Sequence, residues 1–318
     1  MVLDGFAQNT PDEEWIRSVL RTCTLCGRRC GIDRTRGMTG PCGSGVFPKV
    51  ARWLPHMGEE PPLSGTMGSG TIFFSGCSLR CLFCQNYSIS QEHEGMEIPV
   101  GRLVEMMLDL EGRGCHNVNL VSPTHYVPQI AVALEQARSR GLSVPVVYNS
   151  HGYDSAEALG LLAGKVDIYL PDMKYACNPT AEELSGVPGY REVNREALST
   201  MYAQVGDLQE DPDTGLAERG MLVRILVLPG GLAGVKESLM DLAQEFGSRL
   251  SLSLMAQYAP AHKARSRPPL DRTVTEEEYR EVVRLAEDLG FSNLWIQDPC
   301  ASQVGVPDFS AETVFVFD

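Results

Sequence analysis

From residue 71 onward the chain alternates short apolar runs with stretches whose apolar positions recur at helical spacing. The runs are TIFFSG at 71, NVNLV at 117, VPVVY at 144, VDIYL at 166, MLVRILVLPG at 221 and LSLSLMA at 250. Helical patterns fall near 99–113, 127–140, 154–163, 190–205, 234–247 and 275–289. The runs lack strict polar alternation, as expected of strands buried on both faces of a parallel sheet. Repeated β–α units make either an α/β barrel or a doubly wound sheet. The first run is not followed by a G-x-G-x-x-G turn, which argues against the dinucleotide-binding version. The expected fold is therefore α/β, a partial (β/α)6 TIM-like barrel.

The region before residue 71 reads differently. A short helix is expected over 12–22, with Pro11 and Asp12 at its start. Residues 23–45 are rich in Cys, Gly and Arg and have no sustained period. Residues 55–70 are turn-rich and read as a connector. This divides the chain into an N-terminal helix with a four-cysteine metal module (1–54), a connector (55–70) and the barrel with a C-terminal extension (71–318). An acidic loop is expected over 206–220, and TVFVFD at 313–318 as a closing strand.

Composition narrows the function classes. The chain has 318 residues, 43% hydrophobic and 21% charged, with a net charge of −14. Such a surface disfavours nucleic acid and anionic membranes as generic partners. The first twenty residues carry Asp4, Asp12, Glu13 and Glu14 where a secretory signal needs basic and apolar residues. No apolar run reaches the roughly 18 residues of a membrane span. A cytoplasmic protein is expected, in which clustered cysteines read as metal ligands rather than disulfides.

The sharpest chemical signal is GCSLRCLFCQNY, residues 76–87. Cys77, Cys81 and Cys84 stand at C-x3-C-x2-C just after the first strand, at the end where α/β barrels carry their sites. A loop this tight can aim three thiolates at one face of a compact cluster. A [4Fe–4S] cluster normally takes four thiolates, so three leave one iron open. The alternatives are a zinc site completed from elsewhere and a set of buried free thiols.

This spacing, with Phe83 before the last cysteine, resembles the signature of the radical S-adenosylmethionine (SAM) superfamily. Within it, residues 76–87 most resemble the enzymes related to pyruvate formate-lyase activating enzyme, and the cysteine-rich leader before the barrel resembles that of an uncharacterised branch of them. The resemblance implies that Cys77, Cys81 and Cys84 hold a [4Fe–4S] cluster whose fourth iron binds S-adenosylmethionine. It implies reductive cleavage of S-adenosylmethionine and abstraction of a hydrogen atom. Further matches at strand ends imply cofactor contacts from Asn149 and Ser150 in YNSHG, Asp172 and Lys174 in YLPDMKY, Arg224 in RILVLPG, and Gln257 and Tyr258 in MAQYAPAHK. Where the superfamily has a Gly-Gly-Glu turn, this chain reads Ser122-Pro123-Thr124, so Ser122 and neighbouring backbone carbonyls take that place.

Four more cysteines, Cys23, Cys26, Cys30 and Cys42, follow C-x2-C-x3-C-x11-C. They suit Zn2+ or a second iron–sulfur cluster alike. Arg28, Arg29, Arg34 and Arg36 are placed to balance thiolate charge or meet an anionic partner. This leader is absent from the short activating enzyme itself. The resemblance leaves several substrates open. One is a glycyl-radical protein or other protein activated by hydrogen abstraction, and another is a small molecule or peptide. The rival class is a non-enzymatic iron–sulfur electron carrier. A flavodoxin- or ferredoxin-like reductant is the expected partner of the first two.

Overall fold

In a computed structural model of the chain, residues 10–298, 307–311 and 313–315 are described. The strands are β1 (Lys49–His56), β2 (Ser69–Phe74), β3 (Met96–Glu97), β4 (Val118–Val121), β5 (Val146–Ser150), β6 (Ile168–Pro171), β7 (Gln209–Glu210), β8 (Ala217–Leu226), β9 (Ser251–Met255) and β10 (Leu294–Ile296). The helices are α1 (Pro11–Leu20), α2 (Pro61–Ser64), α3 (Tyr87–Ser90), α4 (Val100–Gly112), α5 (Val127–Ser139), α6 (Ala156–Gly160), α7 (Asn178–Ser185), α8 (Tyr190–Val205), α9 (Val235–Phe246) and α10 (Glu276–Asp288).

One sheet runs in the order β10-β9-β8-β6-β5-β4-β2-β1-β3, with β7 paired to β8. Neighbours from β2 through β4, β5, β6, β8 and β9 to β10 are parallel. The sheet is open, and the fold is a partial TIM-like barrel. All six expected strand runs are found in it. β2, β5, β6 and β9 are buried along their whole length. Successive side chains face opposite sides of the sheet. Ile72, Phe74, Leu120 and Tyr148 pack outward with Leu103, Val104 and Ile130 of α4 and α5. Val147, Ile168, Leu170 and Leu222 pack on the other face with Leu63 of α2.

Helix ends follow local chemistry. At α1, the Glu13 amide donates to the Thr10 hydroxyl oxygen at 3.3 Å, and Pro11 opens the first turn. At α10, Thr275 and Glu278 form a reciprocal capping box.

The structure departs from the sequence pattern in four places. β1 crosses residue 54 and pairs antiparallel with β2, which itself begins at Ser69, so the stretch read as a connector is flanked by sheet. Residues 206–220 are not a free loop, because Gln209 and Glu210 pair back on β8 as a hairpin. α7 forms between β6 and α8 where no helix was expected. β10 adds a parallel strand beyond the six. Each of these elements is short or carries polar residues, so its apolar period is weak.

The C-terminal segment lies on the concave face. Phe309 and Val314 pack with Phe73 of β2 and Ile89 of α3. Arg52 donates from Nε to the Phe309 carbonyl and from Nη2 to the Ala311 carbonyl, both at 2.9 Å. Residues 313–315 form no strand; residues 316–318 of the expected closing strand, and Cys300, lie outside the described residues. Among the described residues no helix is long and apolar enough to cross a membrane.

Arg52 is thus the polar tether of this segment. Arg52→Ala is expected to expose residues 307–315 to limited proteolysis while changing global stability by no more than about 1 kcal/mol. Mass mapping of early cleavage sites in the two proteins checks this.

Candidate functional site

The loop after β2 carries the three cysteines and is held from three sides. Gly76 turns the chain at φ 88°, and a Cβ there would stand 2.6 Å from the Cys42 carbonyl oxygen. Only glycine tolerates both the turn and the approach. The Arg80 and Leu82 amides donate to the Ser185 and Leu184 carbonyls at the end of α7, at 2.9 and 2.8 Å. The helix absent from the sequence pattern therefore fixes this loop.

The thiols are free and receive polar contacts. The Leu79 amide donates to Cys77 Sγ at 3.4 Å, and the Ser185 hydroxyl donates to Cys81 Sγ at 2.9 Å. The Ser90 hydroxyl lies 3.2 Å from Cys84 Sγ. Burial raises all three thiols above their ordinary value, Cys84 to about 11, while Lys174 pulls each of them back. Without a cationic partner such thiols stay protonated at neutral pH, and a metal cluster supplies the positive charge that stabilises thiolates. The donor set fits an iron–sulfur cluster: three neighbouring sulfurs, Cys81 buried and Cys77 and Cys84 half-buried, with polar hydrogen-bonding groups against them. Among the described residues no three His, Cys, Asp or Glu side chains are gathered as a single metal ion would require. A cube of irons spreads its thiolates more widely than one ion does.

Lys174 is the basic group of this site. Its Nζ lies 2.6 Å from Asp172 Oδ2, just past β6. Burial works against the ammonium, but Asp172 and the Cys81 thiol outweigh it and hold its pKa above the ordinary value. The pair is buried enough that solvent screens it little. The Lys174 amide donates to the Tyr190 hydroxyl at 3.0 Å, and Asn194 Nδ2 donates to the Asp172 carbonyl at 3.0 Å. α8 therefore fixes the backbone that carries the pair.

The other sequence candidates divide. Ser122 takes a left-handed φ of 56° at the end of β4 and donates its amide to the Asn149 carbonyl at 2.9 Å. Asn149 is a buried member of β5. The Ser150 hydroxyl donates to Asp154 Oδ2 at 2.8 Å. Burial raises the Asp154 pKa despite hydroxyl donors around it. His151 Nδ1 accepts from the Tyr153 amide at 3.1 Å, which leaves Nε2 to donate to the Ser78 hydroxyl at 2.9 Å. Burial and then Lys174 lower its pKa to about 3, so it stays neutral. Phe83 is buried edge-on against Tyr258, with centroids 5.9 Å apart. The Tyr258 hydroxyl donates to the Leu270 carbonyl at 2.7 Å, so its polar end is already engaged. The Gln257 carbonyl accepts from Gln85 Nε2 at 3.1 Å, tying the end of β9 to the cysteine loop.

Arg224 has partners that no local sequence signal marks. Its Nε donates to Glu60 Oε1 at 2.7 Å, and Nη2 also meets Glu59. Burial opposes the Arg224 charge, but the two carboxylates outweigh it and hold its pKa up. For Glu60, burial alone would raise the pKa, and Arg224 reverses this to a net lowering. Asn119 Nδ2 donates to Glu59 Oε1 at 2.9 Å, while Asn119 Oδ1 is buried without a partner. Two adjacent glutamates in a turn-rich stretch carry no periodic signal, so only the fold reveals the pairing.

The N-terminal module docks beside this site. Arg28 Nε donates to the Ser78 carbonyl at 2.5 Å, and its Nη2 to the Gly186 carbonyl at 2.8 Å. Arg80 Nη2 answers with a bond to the Pro41 carbonyl at 3.0 Å. Gly27 and Ser155 amides donate to Tyr153 and Leu25 carbonyls at 3.0 and 3.2 Å, joining the module to the turn after β5. Burial raises the thiol pKa of Cys23, and that of Cys26 to about 12.

Two substitutions follow. Arg224→Met leaves Glu59 and Glu60 buried and uncompensated, and should destabilise the chain by about 3–5 kcal/mol in urea denaturation. Glu60 has a folded pKa below its ordinary 4.5. Its share of stability is therefore full above that value and is lost as pH falls through the depressed folded pKa. Glu60→Gln should flatten the acid limb of the stability–pH curve in that window, leaving the slope above pH 6 unchanged.

Residues 71–198 match the model of the Radical SAM superfamily. The uncharacterized protein MJ0674 of Methanocaldococcus jannaschii is 29% identical over 286 residues, 86% of this chain and 77% of that protein. The FeFe-hydrogenase maturase HydG from Carboxydothermus hydrogenoformans aligns with a TM-score of 0.49 at 12% identity, over 69% of this chain and 50% of its own. Methylornithine synthase (PylB) aligns with a TM-score of 0.46 at 14% identity, over 74% of this chain and 70% of its own. The present chain thus spans about half the length of the HydG chain it matches.

Proposed function

We propose, from the match of residues 71–198 to the Radical SAM superfamily, that the chain is a radical SAM enzyme whose Cys77, Cys81 and Cys84 hold a [4Fe–4S] cluster. The observation that carries this is the set of three free thiols, Cys81 buried and Cys77 and Cys84 half-buried, within electrostatic range of Lys174 at the C-terminal end of a parallel strand. With three protein thiolates, one iron is left to S-adenosylmethionine. A bound cluster would supply one-electron reductive cleavage of S-adenosylmethionine and, through it, hydrogen-atom abstraction from the substrate.

The chain's own residues set the stage for this. Lys174 balances thiolate charge and offers a donor to a carboxylate, and Asp172 offers an acceptor to an ammonium. Neutral His151 and Ser78 hold the cysteine loop without adding charge. Asn149 and the left-handed Ser122 place polar groups at the ends of β5 and β4, where the cofactor's methionine end is expected. Phe83 and Tyr258 exclude water behind the loop. A low-potential electron carrier of the flavodoxin or ferredoxin class supplies the electron.

Two substrate classes fit hydrogen abstraction: a glycyl residue of a partner protein, and a small molecule or peptide. The second is favoured by the C-terminal segment, which packs Phe309 and Val314 against Phe73, on the sheet face opposite α4 and α5.

Anaerobic reconstitution with iron and sulfide, then dithionite and S-adenosylmethionine, tests the reading by mass spectrometry of 5′-deoxyadenosine. The wild type should form it, and Cys81→Ala should fall to background. Lys174→Ala should keep its cluster yet turn over roughly 10- to 100-fold more slowly, as expected for a lost charge-assisted hydrogen bond. A wild type with a full cluster and no product would leave the electron-carrier reading in its place.

A further inference from the structure

We infer that Cys23, Cys26, Cys30 and Cys42 hold a second iron–sulfur cluster, seated against the turn that begins the three-cysteine loop. All four thiols are free, and Cys23, Cys26 and Cys42 are buried. They are brought together by the fold. Cys23 lies within electrostatic range of Cys30, and Cys26 within range of both Cys23 and Cys42. Gly40 lets the segment leading to Cys42 pass close to Cys30, for a Cβ at Gly40 would lie 3.1 Å from Cys30 Sγ.

A second and independent observation is Arg34. Its side chain is buried, with 1% of the residue exposed. Its Nε donates to the Gly45 carbonyl at 2.9 Å and its Nη1 to the His125 carbonyl at 2.6 Å, and the guanidinium lies over the Tyr126 ring. Among the described residues no carboxylate lies within ion-pair distance of it, since the neighbouring Asp33 pairs with Arg36. The guanidinium instead lies within electrostatic range of the Cys23 thiol. A buried cation facing only neutral groups is unfavourable. Four metal-bound thiolates carry net negative charge and supply the missing counter-charge. Four protonated thiols do not.

The pattern selects iron–sulfur over zinc. Structural zinc sites draw their ligands as separated pairs, whereas three closely spaced cysteines with a distant fourth is an iron–sulfur arrangement. The module's place is fixed by Arg28 on the Ser78 and Gly186 carbonyls and by the Cys42 carbonyl against Gly76. The two cysteine sets therefore share one wall.

The test is a full-length Cys77→Ala/Cys81→Ala/Cys84→Ala variant, purified anaerobically from iron-replete cells. Iron, acid-labile sulfide and zinc are measured, with Mössbauer spectra for cluster type. The variant should keep about half of the wild-type iron and sulfide, and adding Cys26→Ser should remove it. Zinc without iron in the variant, or no metal in a variant that circular dichroism shows to be folded, would overturn the inference. Should the variant fail to fold, the wild type decides: about eight irons per chain support the second cluster, and about four exclude it. Arg34→Met spares every ligand and should move the midpoint potential of the remaining cluster to more negative values, because a buried positive charge favours the added electron. An unmoved potential would overturn the role given to Arg34. The outcome is separable from the proposed activity: iron retained in the variant, with no 5′-deoxyadenosine from the wild type, would sink the radical reading and leave this one standing.

Discussion

The structure turns on the burial of Cys77, Cys81 and Cys84 beside the Lys174 ammonium. Thiols out of water resist ionisation, and an ammonium out of water resists protonation. Each offsets the other only if the backbone holds them together, and Asp172 completes the balance at 2.6 Å from Lys174. The requirement explains why the loop is tied on so many sides. β2 delivers it, the end of α7 accepts its amides, α8 fixes the β6 extension that carries Asp172 and Lys174, and Gln85 fastens it to the end of β9. Loosening any of these would let water in and weaken the pairing.

The parallel sheet makes this economical. Strands running the same way end on the same side, so residues far apart in sequence meet without long excursions. The strands themselves were legible as apolar runs, because a strand buried on both faces needs apolar residues at nearly every position. The cysteine loop was legible for a different reason: few structural roles call for three thiols in eight positions. Asp172 and Lys174 were placed correctly at a strand end, and the structure adds that they pair with each other.

What sequence alone did not disclose is tertiary in origin. Glu59 and Glu60 stand in a stretch of prolines and glycines, and nothing local marks them as partners of Arg224 across the barrel. α7 is eight residues long and interrupted by polar positions, so its apolar period is too short to read, yet it supplies the carbonyls that hold the loop. β1, with Arg52 and Pro55 inside it, lacks the look of a strand and is stabilised by pairing with β2. Tyr258 shows the opposite error. Its position after a strand suggested a contact at the site, but packing against Phe83 and a hydrogen bond to Leu270 draw its hydroxyl into the core.

Arg224 and Arg34 show how the same chemistry is solved twice. Both are guanidinium groups taken out of water. Arg224 is met by two glutamates, so its charge is settled by the protein alone. Arg34 is met by carbonyls, an aromatic face and a thiol. A fold that supplies two carboxylates to one buried arginine and none to another treats them differently, and the difference falls where the cysteines are. Thiolates are the groups within reach of Arg34 that can become anionic, and they do so at neutral pH only when a metal holds them. With the proposed second cluster in place, the charge balance of the N-terminal module would close through its cysteines, as that of the barrel interior closes through its glutamates.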